Sequence, residues 1–247
     1  MKSFFTLGAL LHLVLAAGGL SSAEPVTTGS LIHEMTDLHR LAEFPQPAFK
    51  TVQFSSYDRR SHLPGGPGWF ANSDGFGGEP IPNFEQVLKE PGEDGVGEYL
   101  ICDVPGPGAV VRTWTAAISG QLRVYLDGAE QPVFDGPAQE FLMEPYLSFL
   151  GDTGLTTETL DGTFTQRNAA YCPIPFAKRC KMVWTGKLKE IHFYQVQIRL
   201  YDSSAEVKTF TPADVAAYKN DIQQAVRVLG GPHGGGLARM NRTTGRG

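Results

Sequence analysis

Ile191-His-Phe-Tyr-Gln-Val-Gln-Ile-Arg-Leu-Tyr201 decides the fold class. Tyr194, Val196, Ile198 and Leu200 alternate with Gln195, Gln197 and Arg199. That period of two marks a strand with one face in a core and the other in water. Upstream, residues 98–104, 109–117, 121–126, 171–176 and 180–185 are short runs rich in β-branched and aromatic side chains. Gly106-Pro-Gly108, Ser119-Gly120 and Asp127-Gly128 separate them, and such residues supply the backbone angles of tight turns. Short strands punctuated this way predict an all-β chain, an antiparallel β-sandwich of the jelly-roll type. The composition agrees, with 29 Gly and 17 Pro in 247 residues.

Two α-helices flank the strands in this reading. In residues 30–43, Leu31, Met35, Leu38 and Leu41 recur at three- and four-residue steps, which predicts one amphipathic helix ended by Pro45 and Pro47. His33 and His39 lie six apart on it and fall on different faces. The second helix starts at Thr211-Pro-Ala-Asp214. Thr caps, Pro takes the first helical position and Asp sits near the positive end of the dipole. Val215, Tyr218, Ile222, Val226 and Leu229 form its apolar stripe, and Gly230-Gly231 ends it. Residues 52–92 show little periodicity and are too aromatic and charged for a plain linker. They read as an ordered loop facing a ligand.

Met1-Lys2, an apolar run to Ala17 and the small residues Ser21-Ser22-Ala23 make a secretory signal peptide of residues 1–23, cleaved after Ala23. The run is short for a bilayer span. The expectation is a secreted or periplasmic protein with no membrane association after cleavage. Residues 24–229 form the domain, and the Gly/Arg-rich residues 230–247 have the composition of a disordered tail. A net charge of −5 without a basic run argues against a nucleic-acid partner. Export permits disulfides, but Cys102, Cys172 and Cys180 are odd in number. Cys102 lies in a strand, as a small buried hydrophobe does. Cys172 and Cys180 flank a Pro-rich turn, which leaves a pairing between them open. No Cys or His spacing suits zinc, so neither a metal site nor a cofactor is expected.

The motifs run in a definite order. After the helix come Ser55-Ser-Tyr-Asp-Arg59, Trp69-Phe-Ala-Asn-Ser-Asp74, Gly106-Pro-Gly-Ala-Val-Val-Arg-Thr-Trp114, Leu122-Arg-Val-Tyr-Leu-Asp-Gly128, Tyr171-Cys-Pro-Ile-Pro-Phe176 and Tyr194-Gln-Val-Gln-Ile-Arg199. The series resembles the N-terminal part of the DUF2961 proteins, which include glycoside hydrolase family 172. The resemblance implies two consecutive jelly rolls, a symmetric homo-oligomer, and retaining hydrolysis or transglycosylation of α-fructofuranosides or arabinofuranosides. In that chemistry one carboxylate attacks the anomeric carbon while a second carboxyl protonates the departing oxygen. In the family both catalytic glutamates lie in the second roll, in Trp-Gly-Glu-Gly-Asp and Gly-Thr-Gly-Thr-Glu-Asp-Tyr segments. Neither string occurs here. The expectation is therefore an N-terminal fragment, truncated before the second roll and inactive alone, with no catalytic residues assigned. The alternative is a non-catalytic jelly-roll module that binds carbohydrate or a partner subunit. Glu140 and Glu144, four apart, would share a helix face, but they read as solvated carboxylates.

Candidate sugar-binding residues are Asp58, Arg59, Trp69, Asn72 and Asp74. Asp58 and Arg59 fit sugar hydroxyls or a salt bridge holding the loop. Trp69 fits a furanose ring or the edge of the core. Asn72 and Asp74 suit an Asx-type turn better than a ligand. Arg112 and Trp114, two apart on a strand, share a face and read as core edge with a covering Arg.

Overall fold

The computed structural model describes residues 24–71 and 84–230. The signal-peptide reading, most of the tail, and Asn72 and Asp74 lie outside the described residues. Strands β1 (Phe49–Ser55), β2 (Gln86–Lys89), β3 (Gly97–Pro105), β4 (Gly108–Ile118), β5 (Gln121–Leu126), β6 (Phe134–Pro137), β7 (Thr165–Gln166), β8 (Ala169–Ala170), β9 (Ile174–Phe176), β10 (Arg179–Gly186) and β11 (Ile191–Tyr201) form two antiparallel sheets. The first runs β1–β11–β4–β8–β7, with β9 also on β4; the second runs β2–β3–β10–β5–β6. Consecutive strands β3, β4 and β5, and again β10 and β11, cross from one sheet to the other. This is the β-sandwich of jelly-roll type that the alternation in residues 191–201 predicts.

The core lies between the sheets. Tyr194, Val196 and Ile198 of β11 are fully buried, as are Leu122 and Val124 of β5 and Met182 and Trp184 of β10. Phe84 bridges the two sheets: its ring stacks on Trp184 at 5.3 Å and on Tyr194 at 5.5 Å. Such pairs add roughly 0.5–1.5 kcal/mol each beyond the area they bury. At the β4–β5 turn, Gly120 has φ +79°, and a Cβ there would meet the Thr185 carbonyl oxygen at 2.4 Å. Only glycine fits. Beside it the Trp184 indole N–H donates to the Ser119 carbonyl at 2.7 Å.

The helices depart from the expected boundaries. The first, α1 (Thr28–Glu34), is capped by Thr27, whose hydroxyl accepts from the Ser30 N–H. It ends before Leu38, and Leu38–Ala42 form a separate 3-10 turn. The Asp37 side chain accepts from the His39 N–H at 3.1 Å, starting that turn afresh instead of continuing the helix. Leu31 is buried and Met35 packs on the core, whereas Leu38 and Leu41 stand 73% and 83% exposed. The C-terminal helix is likewise two pieces, α4 (Ala213–Ala217) and α5 (Lys219–Leu229), broken where Tyr218 takes φ −100°, ψ 21°.

Strands β1 and β2 replace the expected irregular stretch at its two ends. Both are edge strands with one neighbour each, so their side chains need not alternate strictly. Between β6 and β7 lie α2 (Ala138–Met143) and α3 (Thr157–Leu160). Glu144 leaves α2 at φ −147°, just before Pro145, so Glu140 and Glu144 do not share a helix face. All three cysteines are free and buried. Cys180 does not pair with Cys172. The β3–β10 register sets Cys180 opposite Val104 and Met182 opposite Cys102, which makes Cys102 the diagonal neighbour of Cys180.

Candidate functional site

The loop after β1 leaves the sheet at Ser56, whose N–H donates to the Tyr194 carbonyl and whose hydroxyl accepts from the Tyr194 N–H. Asp58 is buried, and its carboxylate accepts from the Arg60 backbone N–H, from its Nε at 3.0 Å and from its terminal nitrogen at 2.7 Å. Arg59 turns the other way. It donates to Glu85 Oε1 at 2.7 Å and lies 4.8 Å over the Tyr57 ring. Burial works against the Arg59 cation, but Glu85 and the Tyr194 hydroxyl outweigh it and hold the guanidinium above its ordinary value. Burial pushes the Tyr194 phenol well up, and Arg59 only partly offsets this. Trp69 is 38% exposed, and its carbonyl accepts from the Ser61 hydroxyl at 2.6 Å. Asp58, Arg59 and Trp69 thus share one loop, with Asp58 and Arg59 each in an ion pair within it or beside it.

That loop springs from a polar and aromatic platform on the outer face of the first sheet. Directly opposed residues share a face, so the register places Gln53, Gln197 and Arg112 in one row and Ser55, Gln195 and Trp114 in the next. Gln197 donates to Gln53 Oε1 at 2.8 Å, and Arg112 donates to Gln195 Oε1 at 2.9 Å. Arg112 also lies 5.9 Å over the Tyr171 ring. Arg112 and Trp114 do share a face, as their spacing predicts. Tyr171 and the three glutamines join them unforeseen. The polar positions of β11 could have pointed to Gln195 and Gln197; Gln53 sits on a strand that the sequence reading missed. Planar amides, a guanidinium and an indole on one surface suit a ligand rich in hydroxyls, because each offers directional bonds or a flat apolar face.

A separate cavity of about 440 Å³ lies between α1, the 3-10 turn and the end of β11, lined by Glu34, Leu41, Phe44, Phe49, Arg199 and Tyr201 among others. Arg199 crosses it, donating to Glu34 Oε1 at 2.7 Å and lying 4.3 Å over the Phe49 ring. Among the described residues no group of three or more His, Cys, Asp or Glu is placed to hold a metal ion.

The GH172 first beta-sandwich domain matches residues 47–218, well over half of the chain. The chain belongs to this family. No curated protein matches it. The GH172 match begins two residues before β1 and ends at the break between α4 and α5. The platform, the loop and both sheets therefore fall within the GH172 sandwich, whereas α1 and most of the wall of the 440 Å³ cavity precede it.

Proposed function

We propose that this GH172 sandwich is a non-catalytic, carbohydrate-binding module of secreted furanoside chemistry, which holds α-fructofuranosides or arabinofuranosides without itself breaking the glycosidic bond. The observation that carries the reading is the platform of Gln53, Arg112, Trp114, Gln195 and Gln197, joined by two amide and guanidinium hydrogen bonds and flanked by the loop of Asp58, Arg59 and Trp69. Neither family glutamate segment occurs in the 247 residues, so the reading assigns the sandwich itself a binding role and no nucleophile or acid/base. Secretion follows the signal-like residues 1–23.

A titration with methyl α-arabinofuranoside and a methyl fructofuranoside, followed by NMR, tests this. Saturable shifts should cluster on β1, β4 and β11 and should vanish in Trp114→Ala. No saturable shift with either sugar overturns the proposal.

Exposed apolar side chains favour a second reading, that of a subunit-interaction module forming a homo-oligomer. Leu38, Leu41 and Phe44, close in sequence at the 3-10 turn, are 73%, 83% and 95% exposed, and solvent-facing apolar clusters commonly mark interfaces. Sedimentation should then give a multiple of the 26.8 kDa chain mass, and Leu41→Lys with Phe44→Lys should give the monomer. A monomeric parent protein contradicts it.

A further inference from the structure

We propose that a groove on the outer face of the second sheet is a binding site for a carboxylate-bearing sugar, a hexuronate residue. The groove has a volume of about 310 Å³, at the small end of the range of about 300–1,000 Å³ typical of ligand sites. Arg123 and Tyr125 of β5 form part of its wall, and they alternate with the buried Leu122, Val124 and Leu126, which places them on the outer face. Lys181 of β10 stands directly between Tyr125 and Asp103 in the strand register, and Val183 stands opposite Arg123. Leu88 of β2 and Val183 of β10 supply apolar surface to the groove wall.

The cations of this groove are unevenly paired. Arg179 takes Asp103 with both ends of its fork, Nε to Oδ1 and a terminal nitrogen to Oδ2, each at 2.6 Å. Arg123 reaches Glu98 at 3.2 Å and the Thr185 hydroxyl at 3.4 Å. Lys181 makes no ion pair among the described residues. Arg123, Arg179 and Lys181 thus stand among three carboxylates, Glu98, Asp103 and Asp135, the last directly opposite Arg123 in the β5–β6 register, and Lys181 is the cation of the three that no carboxylate holds. Lys181 lines the groove directly opposite Tyr125. The half-buried Arg123–Glu98 pair, at 3.2 Å, is looser than the two-pronged Arg179–Asp103 pair.

A ligand that satisfies this arrangement needs a carboxylate for Lys181 and Arg123, whose donors are charged and directional. It also needs a flat, weakly apolar ring face for Tyr125 and Val183. A neutral sugar lacks the first and a simple carboxylate lacks the second. A hexuronate has both. The groove belongs to the sheet opposite the furanoside platform, so the two proposals stand or fall separately.

The test is a titration of the full chain with galacturonate, trigalacturonate, galactose and acetate, followed by calorimetry and by the NMR shifts of β5 and β10. Galacturonate should saturate, with galactose and acetate each weaker by at least about tenfold. Tighter binding of trigalacturonate than of the monomer would mark a polymer chain as the source, and equal binding would mark the free acid. Lys181→Gln and Tyr125→Ala should each weaken galacturonate by about tenfold, while Lys208→Gln, outside the groove, leaves it unchanged. Thermal melts confirm that each variant folds, and Tyr125→Ala decides the matter alone if Lys181→Gln does not. The proposal is overturned by the absence of saturation with galacturonate, by equal affinity for acetate or galactose, or by full affinity in the folded variants.

Discussion

The Asp127 carboxylate ties together three segments far apart in the chain. Its Oδ1 accepts from the Lys178 N–H at 2.6 Å and from the Arg179 N–H at 3.2 Å, and its Oδ2 accepts from the Thr209 hydroxyl. Asp127 also sits at φ 56°, a conformation that Asp and Asn tolerate better than most residues. Asp127→Ala should lower stability by roughly 1–3 kcal/mol, measured as a shift in the urea midpoint, and Asp127→Asn should recover part of it. The turn at Asp127-Gly128 is legible in the sequence. The cross-links are not, because Lys178 and Thr209 come near only once the strands have paired. The same limit holds for the loop. Asp58 and Arg59 can be singled out by type, but their partners Arg60 and Glu85 are set by the path of the chain. At the cysteines, burial raises the Cys172 thiol, and contact with Cys180 together with burial raises that of Cys102. A thiol reagent should label none of the three readily in the native protein and all three once it is unfolded. Fewer than three free thiols after unfolding under non-reducing conditions would contradict the structure.

At the scale of elements, strands with strict alternation and a partner on each side were readable in advance. β5 and β11 match their predicted bounds, because every second side chain of each must enter the core. β1 and β2 lie on sheet edges, and β2 also breaks register between Val87 and Lys89, so the pattern weakens just where pairing is one-sided. The single helix expected over residues 30–43 failed for a local reason, the Asp37 side chain bonding to His39 and opening a new turn. Asp214 was legible as a residue of the first helical turn, but not as a clamp. Buried at the start of α4, it accepts from the Thr28 hydroxyl at 2.6 Å and from the Thr211 hydroxyl at 2.9 Å, joining α1 to α4. Thr28→Val removes one donor from a buried carboxylate and should cost roughly 1–3 kcal/mol. Hydrogen exchange should show the loss first in α1. Unchanged protection there would mean that the clamp does not hold α1 in place.

At the scale of the molecule, the sandwich carries several buried phenols whose titration links stability to pH. Burial raises Tyr194 and Tyr146 well above the ordinary value of 10.0, and it raises Tyr201 as well. The folded protein therefore keeps these protons at pH values where the unfolded chain releases them. The stability they contribute is complete below about pH 10 and falls as pH rises from there toward the folded values. The urea midpoint should stay level up to about pH 10 and then drop; a level midpoint above that would mean the phenols are not buried in solution. The central claim concerns chemistry: a GH172 first sandwich in a chain without the family's two glutamate segments. The most direct measurement is turnover of nitrophenyl α-arabinofuranoside and α-fructofuranoside by the purified chain. The account predicts no release of nitrophenol above the buffer rate, and saturable turnover that survives purification to homogeneity would contradict it.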